Sequence, residues 1–210
     1  MALPTTNPPI YGFNYAGSRL GNMPKPEIAR VASAYQAQVS AANVDLRPGD
    51  PVKKVNDGTV SLAAAGEAIY AIIASVLPFQ RTRDGQTYMD YGFQLPGGTT
   101  YSVQQNESRL MVIPVAGVLW EVMSDEATTA ATEAAYIALI GENADHSLTR
   151  DATRLWAGPK LDTSDHKTAT AQWRIVDINR RRQQDASLTN YSLIVTCNEV
   201  QQAPFQTTGV

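Results

Sequence analysis

The sequence predicts an all-β protein, a jelly-roll or related β-sandwich or barrel with an extended N-terminal arm and little helix. Three observations carry that expectation. Roughly eight to ten short apolar runs are separated by turn signals every 8–12 residues, the rhythm of sandwiches and barrels. Residues 168–175, TATAQWRI, alternate polar and apolar side chains, the period of a half-buried strand. No long stretch repeats its apolar residues at helical spacing. The expected boundaries are an arm over residues 1–29, a single β-domain over 30–200 with a long loop excursion near 77–100, and a tail over 201–210.

The first 29 residues carry Pro4, Pro8, Pro9, Pro24 and Pro26, which break helices and disfavour interior strands. They also carry Ile10, Tyr11, Phe13, Tyr15 and Leu20, too much apolar bulk for a solvated tail. Two readings fit: an arm ordered by lying on another molecule, or a segment packed along its own domain. Residues 26–32 fit a helix opened by proline, whereas Tyr35 to Val39 alternate as a strand.

Residues 43–73 read as strand, turn, strand, turn, strand. Arg47-Pro48-Gly49-Asp50 has turn chemistry, and Asp57-Gly58 supplies the positive φ of a tight hairpin between Pro51-Val52-Lys53-Lys54-Val55 and Thr59-Val60-Ser61-Leu62. Ile69 to Ile73 is an apolar strand. Residues 77–100 form an aromatic excursion, an inserted loop or a hairpin over a surface. Leu110 to Ile113 reads as a buried strand, Pro114 and Gly117 as its turn or bulge, and Val118 to Val122 as the strand returning beside it. Tyr136 to Ile140 reads as a short strand ended by Gly141, and 141–168 as mostly polar loop. Tyr191 to Cys197 is the last strand. The tail from Gln201 is expected to fray or to reach a neighbour.

The totals narrow the function. Of 210 residues, 43% are apolar and 18% charged, below the usual quarter. Such a surface suits a protein partly covered by neighbours, and equally an ordinary β-protein. The formal net charge of −3 argues against a general nucleic-acid binder. No apolar run approaches a membrane span, and no signal-peptide pattern follows Met1, so synthesis and folding in the cytoplasm are expected. Cys197 stands alone, which leaves no intramolecular disulfide and no thiolate metal site.

Residues with catalytic potential are few. Asp145-His146 and Asp165-His166 carry ligand-type side chains, but their spacing fits no compact metal motif, and they read as solvated loop residues. No nucleophile elbow or phosphate loop occurs. Glu121, Asp125 and Glu126 lack an evident second carboxylate on an opposing strand, as glycoside hydrolysis would need. Arg180-Arg181-Arg182 is the one basic run, a solvated turn or a contact to an acidic partner. No catalytic residue, metal or cofactor is expected.

Three blocks in order give the chain a family likeness. The first is Gly49-Asp50-Pro51-Val52, then Asp57-Gly58-Thr59-Val60 and Ala63-Ala64-Ala65-Gly66-Glu67 before Ile69-Tyr70. The second is Gly117-Val118-Leu119-Trp120-Glu121-Val122. The third is Leu161-Asp162 with residues 168–175, closing on Leu193-Ile194-Val195-Thr196-Cys197-Asn198-Glu199. In these, over most of residues 43–200, the chain resembles the capsid cement, or head decoration, proteins of tailed bacteriophages. The resemblance implies a non-enzymatic virion protein on the capsid exterior. It would bind the major capsid protein and itself as a homodimer or homotrimer, with no nucleic acid or membrane partner. Candidate contacts are Pro8, Pro9, Tyr11, Phe13 and Tyr15 in the arm, Phe79, Tyr88, Tyr91 and Phe93 in the aromatic excursion, and Arg180, Arg181 and Arg182 in the basic turn. Another β-rich virion part (tail, fibre base or head-tail adaptor) is the alternative. A carbohydrate-binding or hydrolytic β-domain around Trp120-Glu121 is a third reading, weakened because alternation puts those two side chains on opposite faces.

Overall fold

The computed structural model describes residues 11–19, 21, 24–32, 46–56, 58–83, 86–90, 102–103, 108–125, 132–148, 158–167, 169–180 and 190–201. In chain order the elements are β1 (Asn14–Ser18), β2 (Glu27–Arg30), β3 (Pro51–Lys54), β4 (Val60–Leu62), β5 (Ala71–Val76), β6 (Phe79–Arg83), β7 (Gln86–Asp90), β8 (Ser102–Val103), β9 (Arg109–Pro114) and β10 (Val118–Met123). Then come one short helix α1 (Glu133–Ala138), β11 (Asn143–Ala144), β12 (His146–Ser147), β13 (Lys160–Leu161), β14 (Trp173–Ile178) and β15 (Ser192–Cys197). The protein is all-β, and its strand ladders are antiparallel.

The chain forms two compact units. The first is Met1–Met23, Ala64–Ala68 and Val115–Val200; the second is Pro24–Ala63, Ile69–Pro114 and Gln201–Val210. The single domain expected over 30–200 therefore spans parts of both.

The second unit holds a five-stranded sheet, β2-β9-β5-β3-β4, and a three-stranded one, β7-β6-β8. Its meander forms as its turn residues dictate. The Asp50 amide donates to the Arg47 carbonyl at 3.1 Å with Gly49 at φ 90°, a type II turn with proline and glycine at their favoured positions. The Asp50 carboxylate also accepts from the Arg47 amide at 2.7 Å, fixing the turn from its far side. Gly58, at φ 80°, closes the β3–β4 hairpin. The apolar faces so aligned bury Leu46, Val52, Val60, Ile73, Leu110 and Val112 in one cluster. Each such side chain contributes about 1.5–3 kcal/mol on leaving water. Phe79 is 2% exposed in the same cluster, so it packs the core and presents nothing to a partner. The excursion after residue 77 is a hairpin, Phe79 opposite Asp90 and Arg83 opposite Gln86. Gln201 is fixed here: its amide reaches the Ile69 carbonyl at 2.7 Å, and its side chain bridges the Lys54 amide and carbonyl at 2.6 and 3.0 Å.

The first unit is a five-stranded sheet, β1-β10-β15-β14-β11, with the small ladder β12-β13. Its core is ring-rich. Phe13 stacks on Trp173 at 4.3 Å between centroids and meets His146 edge-on, and Tyr136 stacks on Tyr191 at 4.8 Å. Phe13 is 2% exposed, so this residue of the expected arm is core. The segment just after it, β1, is the edge strand of its own chain's sheet, where Asn14 pairs with Glu121 and Ser18 with Val118. The packed reading of residues 11–19 is the observed one.

Four expectations are overturned. Residues 27–30, within the segment that fits a proline-opened helix, are strand β2, because pairing with β9 outweighs the local helix signal. β9 and β10 do not form a pair. β9 lies between β2 and β5 and β10 between β1 and β15, so Pro114 to Gly117 carries the chain out of one sheet into another. A short turn between two apolar runs looks like a hairpin locally, but packing decides which edge each strand meets. Tyr136 to Ala138 are helical, not strand. Thr132 caps α1, its side chain accepting from the Ala135 amide at 3.2 Å, and the Glu-Ala-Ala opening favours helix. Gly141, at φ 95°, then turns the chain after Leu139. Finally, residues 141–168 are not simply loop, since β11, β12 and β13 lie within them.

Candidate partner-contact surface

Several of the described residues whose types could support chemistry are committed to structure. His146 is fully buried: the Trp173 indole N–H donates to its Nδ1 at 3.4 Å, and its amide donates to the Gln172 side-chain oxygen at 3.2 Å. The solvated-loop reading fails for His146 because sheet pairing with Leu161 draws it inward. It holds for Asp165 and His166, both exposed. Asp145 accepts from the Gln172 amide at 3.1 Å and faces Lys167 at 3.6 Å. Lys167 also pairs with Asp165 at 3.2 Å, and these two carboxylates raise its pKa, Asp165 foremost. Among the described residues, no group of three or more His, Cys, Asp or Glu could hold a metal.

Glu121 is equally occupied. Its Oε1 accepts from Ser192 Oγ at 2.6 Å and from Asn179 Nδ2 at 2.7 Å, and the residue is 2% exposed. Trp120 is 1% exposed on the other face, because β10 is covered on both sides. Neither offers the sugar platform of the hydrolytic reading. Asp125 is half-buried, which pushes its pKa up, while the Thr163 amide at 3.0 Å opposes that shift. Burial pushes the Cys197 thiol up to about 12.

What remains for recognition is surface. Tyr15 and Ile28 are exposed large apolar residues on β1 and β2, at 39% and 67%. Each of those strands is the edge of a five-stranded sheet, one in each unit. Among the described residues no strand pairs with the outer side of β1, and β2 is unpaired there as far as Arg30, beyond which Val31 bridges Val60 of β4 in parallel; such an unpaired edge is a template for another chain. β2 is held inward by the Tyr70 hydroxyl, which donates to Glu27; burial, then that bond, raises the tyrosine pKa. Lys54 Nζ lies 4.1 Å over the same ring. Met89 on β7 and Ile137 and Ile140 around α1 are also exposed.

Of the predicted contacts, Tyr15 is exposed, Tyr11 is partly buried, and Phe13 and Phe79 are core. Arg180 is exposed but tied down, 2.9 Å from Glu133 and 3.8 Å from Asp177; the Glu133 bond is the main cause of its raised pKa. Tyr88 lies on β7, where only its backbone is described. Pro8, Pro9, Tyr91, Phe93, Arg181 and Arg182 lie outside the described residues. Sequence reasoning missed Ile28, hidden in the polar run Glu27-Ile28-Ala29-Arg30. It also missed a groove of about 410 Å3 in the first unit, lined by Arg19, Ile140, Gly141, Arg174, Ile175 and Val176. An arginine four positions after the exposed tyrosine of β1, and another inside an alternating stretch, were the available signals.

No family model, curated protein or solved structure matches the chain.

Proposed function

We propose that the protein is a structural virion component that binds the outer surface of a bacteriophage capsid. There it bridges major capsid protein subunits, stabilises the head and associates with itself as a homodimer or homotrimer. It is not an enzyme in this reading, and needs no cofactor. The observation that carries the proposal is the pair of edge strands near the N-terminus. β1 and β2 each border a five-stranded sheet and each exposes a large apolar side chain, Tyr15 or Ile28. A cement protein needs stiff bodies with apolar margins, and β-sheet edges supply both backbone hydrogen bonds and side-chain anchors. Repetition over a symmetric shell makes modest single contacts collectively strong. The ordered sequence blocks between residues 49 and 199 support the same reading.

The test is co-sedimentation. The protein is expected to pellet with assembled heads and to stay in the supernatant with free capsid subunits. Tyr15→Glu and Ile28→Glu should each weaken pelleting. A protein that leaves assembled heads bare at saturating concentration sinks the proposal.

A further inference from the structure

We propose that the groove between Arg19 and Arg174 receives an acidic side chain, flanked by an aliphatic one, from an exposed loop of the capsid subunit. This rests on the head-binding reading above and names the chemistry of one of its contacts. The argument begins with how cations are used in the first unit. Five are described there. Arg180 pairs with Glu133 and Asp177, Lys167 with Asp145 and Asp165, and Lys160 Nζ donates to Asn190 Oδ1 at 2.9 Å. Arg19 and Arg174 have no side-chain partner among the described residues, and both line the one groove.

Their placement follows from the sheet. Thr196 is paired with Leu119 on one side and Arg174 on the other, in the row that starts at Gly17 on β1. Arg19 follows β1, its amide held by the Gly117 carbonyl at 3.0 Å. Gly17 puts no side chain into that row, so nothing bulky rises from β1 beside the groove. Ile140, 40% exposed, and Val176 give the site an apolar wall.

Two guanidinium groups with no carboxylate partner among the described residues complement a negative charge, and their planar forks match carboxylate geometry. The aliphatic wall selects a carboxylate carried beside an apolar side chain. A protein partner is favoured over nucleic acid because the chain as a whole carries a net charge of −3. At about 410 Å3 the groove accommodates two or three side chains.

The test compares wild type with the double variant Arg19→Gln, Arg174→Gln. Both sites are exposed, so the thermal transition should not move. Affinity for assembled heads in a co-sedimentation titration should fall about tenfold or more at low salt, and the gap should narrow as salt rises. A variant that pellets like wild type at every salt concentration overturns the groove and leaves the head-binding reading standing. If wild type itself does not pellet, the head-binding reading falls, and a second measurement decides the groove. Isotope-labelled protein is titrated with acetyl-Val-Asp-Val-amide and with its Asn counterpart, and the arginine Nε signals are followed by NMR. Shifts at Arg19 and Arg174 with the Asp peptide alone support the site. Equal or absent shifts overturn it, as does a duplex oligonucleotide that shifts the same signals as strongly.

Discussion

The two units solve the same packing problem with different materials. The second buries a mainly aliphatic cluster, Val31, Leu46, Val52, Val60, Ile73, Leu110 and Val112 among it, gathered largely by a local meander. The first buries rings around polar side chains. Phe13, Trp120, Trp173, Tyr136 and Tyr191 lie beside Glu121, His146 and Gln172, all nearly inaccessible. Gln172 shows what this entails. Its side-chain Nε2 donates to the Ala64 carbonyl at 2.8 Å and the Glu67 carbonyl at 2.6 Å, more than a hundred residues away in sequence. Aliphatic surface is non-directional and tolerates approximate fit, whereas buried polar groups cost free energy unless every partner is in place. The first unit is therefore more exactingly specified and more easily damaged by a single change.

The largest effects should separate the units. Trp173→Ala is expected to cost the first unit about 3–5 kcal/mol, and Leu110→Ala to cost the second about 2–5 kcal/mol. Trp120, Trp156 and Trp173 all fall within Val115–Val200, so tryptophan emission reads the first unit while far-ultraviolet circular dichroism reads both. Should Leu110→Ala move the emission transition as far as Trp173→Ala does, the units unfold as one block and the comparison breaks.

Cys197 gives a second probe of the first unit. With its thiol pushed up to about 12 by burial, little thiolate is present at pH 8. Reaction with a disulfide reagent should be on the order of 10²–10³ slower in the native protein than in the unfolded chain. In mild denaturant it should accelerate together with the emission change. Ready native labelling would contradict the burial described for β15.

A third measurement addresses the polar pins. Gln172→Leu keeps approximate volume but strips partners from the Ala64 and Glu67 carbonyls and the His146 amide. The cost should be on the order of 3 kcal/mol. Hydrogen exchange should quicken around His146, and an unchanged exchange pattern would show that Gln172 is not a pin.

The smallest effect is that of Asp125. Burial raises its folded-state pKa above the unfolded value, so the native state holds its proton more tightly. Stability from this group is then greatest below the ordinary carboxylate range and falls as pH rises through the unfolded and then the folded pKa. Asp125→Asn, which can still accept from the Thr163 amide, should raise the melting temperature slightly at pH 7 and leave it unchanged near pH 3. A lowered melting temperature at pH 7 would reverse the sign.

Much of the second unit was legible in the sequence. Pro48-Gly49 and Gly58 fix turns through backbone dihedrals that few other residues adopt, and the strands they join, β3, β4 and β5, take up their apolar faces from there. The alternation over 168–175 marked Trp173 and Ile175 on the buried side of β14 and Ala171 just before it, but it failed at Gln172, which is 0% exposed, and at Ala169, which is exposed, because the strand begins only at Trp173. Of the candidate contacts among the residues whose side chains are described, Tyr15 and Arg180 are exposed. Phe13, two residues before Tyr15, has the same chemical character and the opposite fate, because its ring reaches Trp173 while that of Tyr15 stays at a sheet edge.

The sequence by itself determined the β class, the turns of the meander and the places of β3, β4, β5, β9, β10, β14 and β15, since all of these depend on dihedral preference and side-chain period within a few residues. Tertiary structure alone decided that β9 and β10 enter different sheets, that His146 is core, and that Arg19 and Arg174 border one groove. Those outcomes depend on which distant edge or face a segment meets. That choice is made by burial and hydrogen-bond satisfaction across the chain, and no local pattern encodes it.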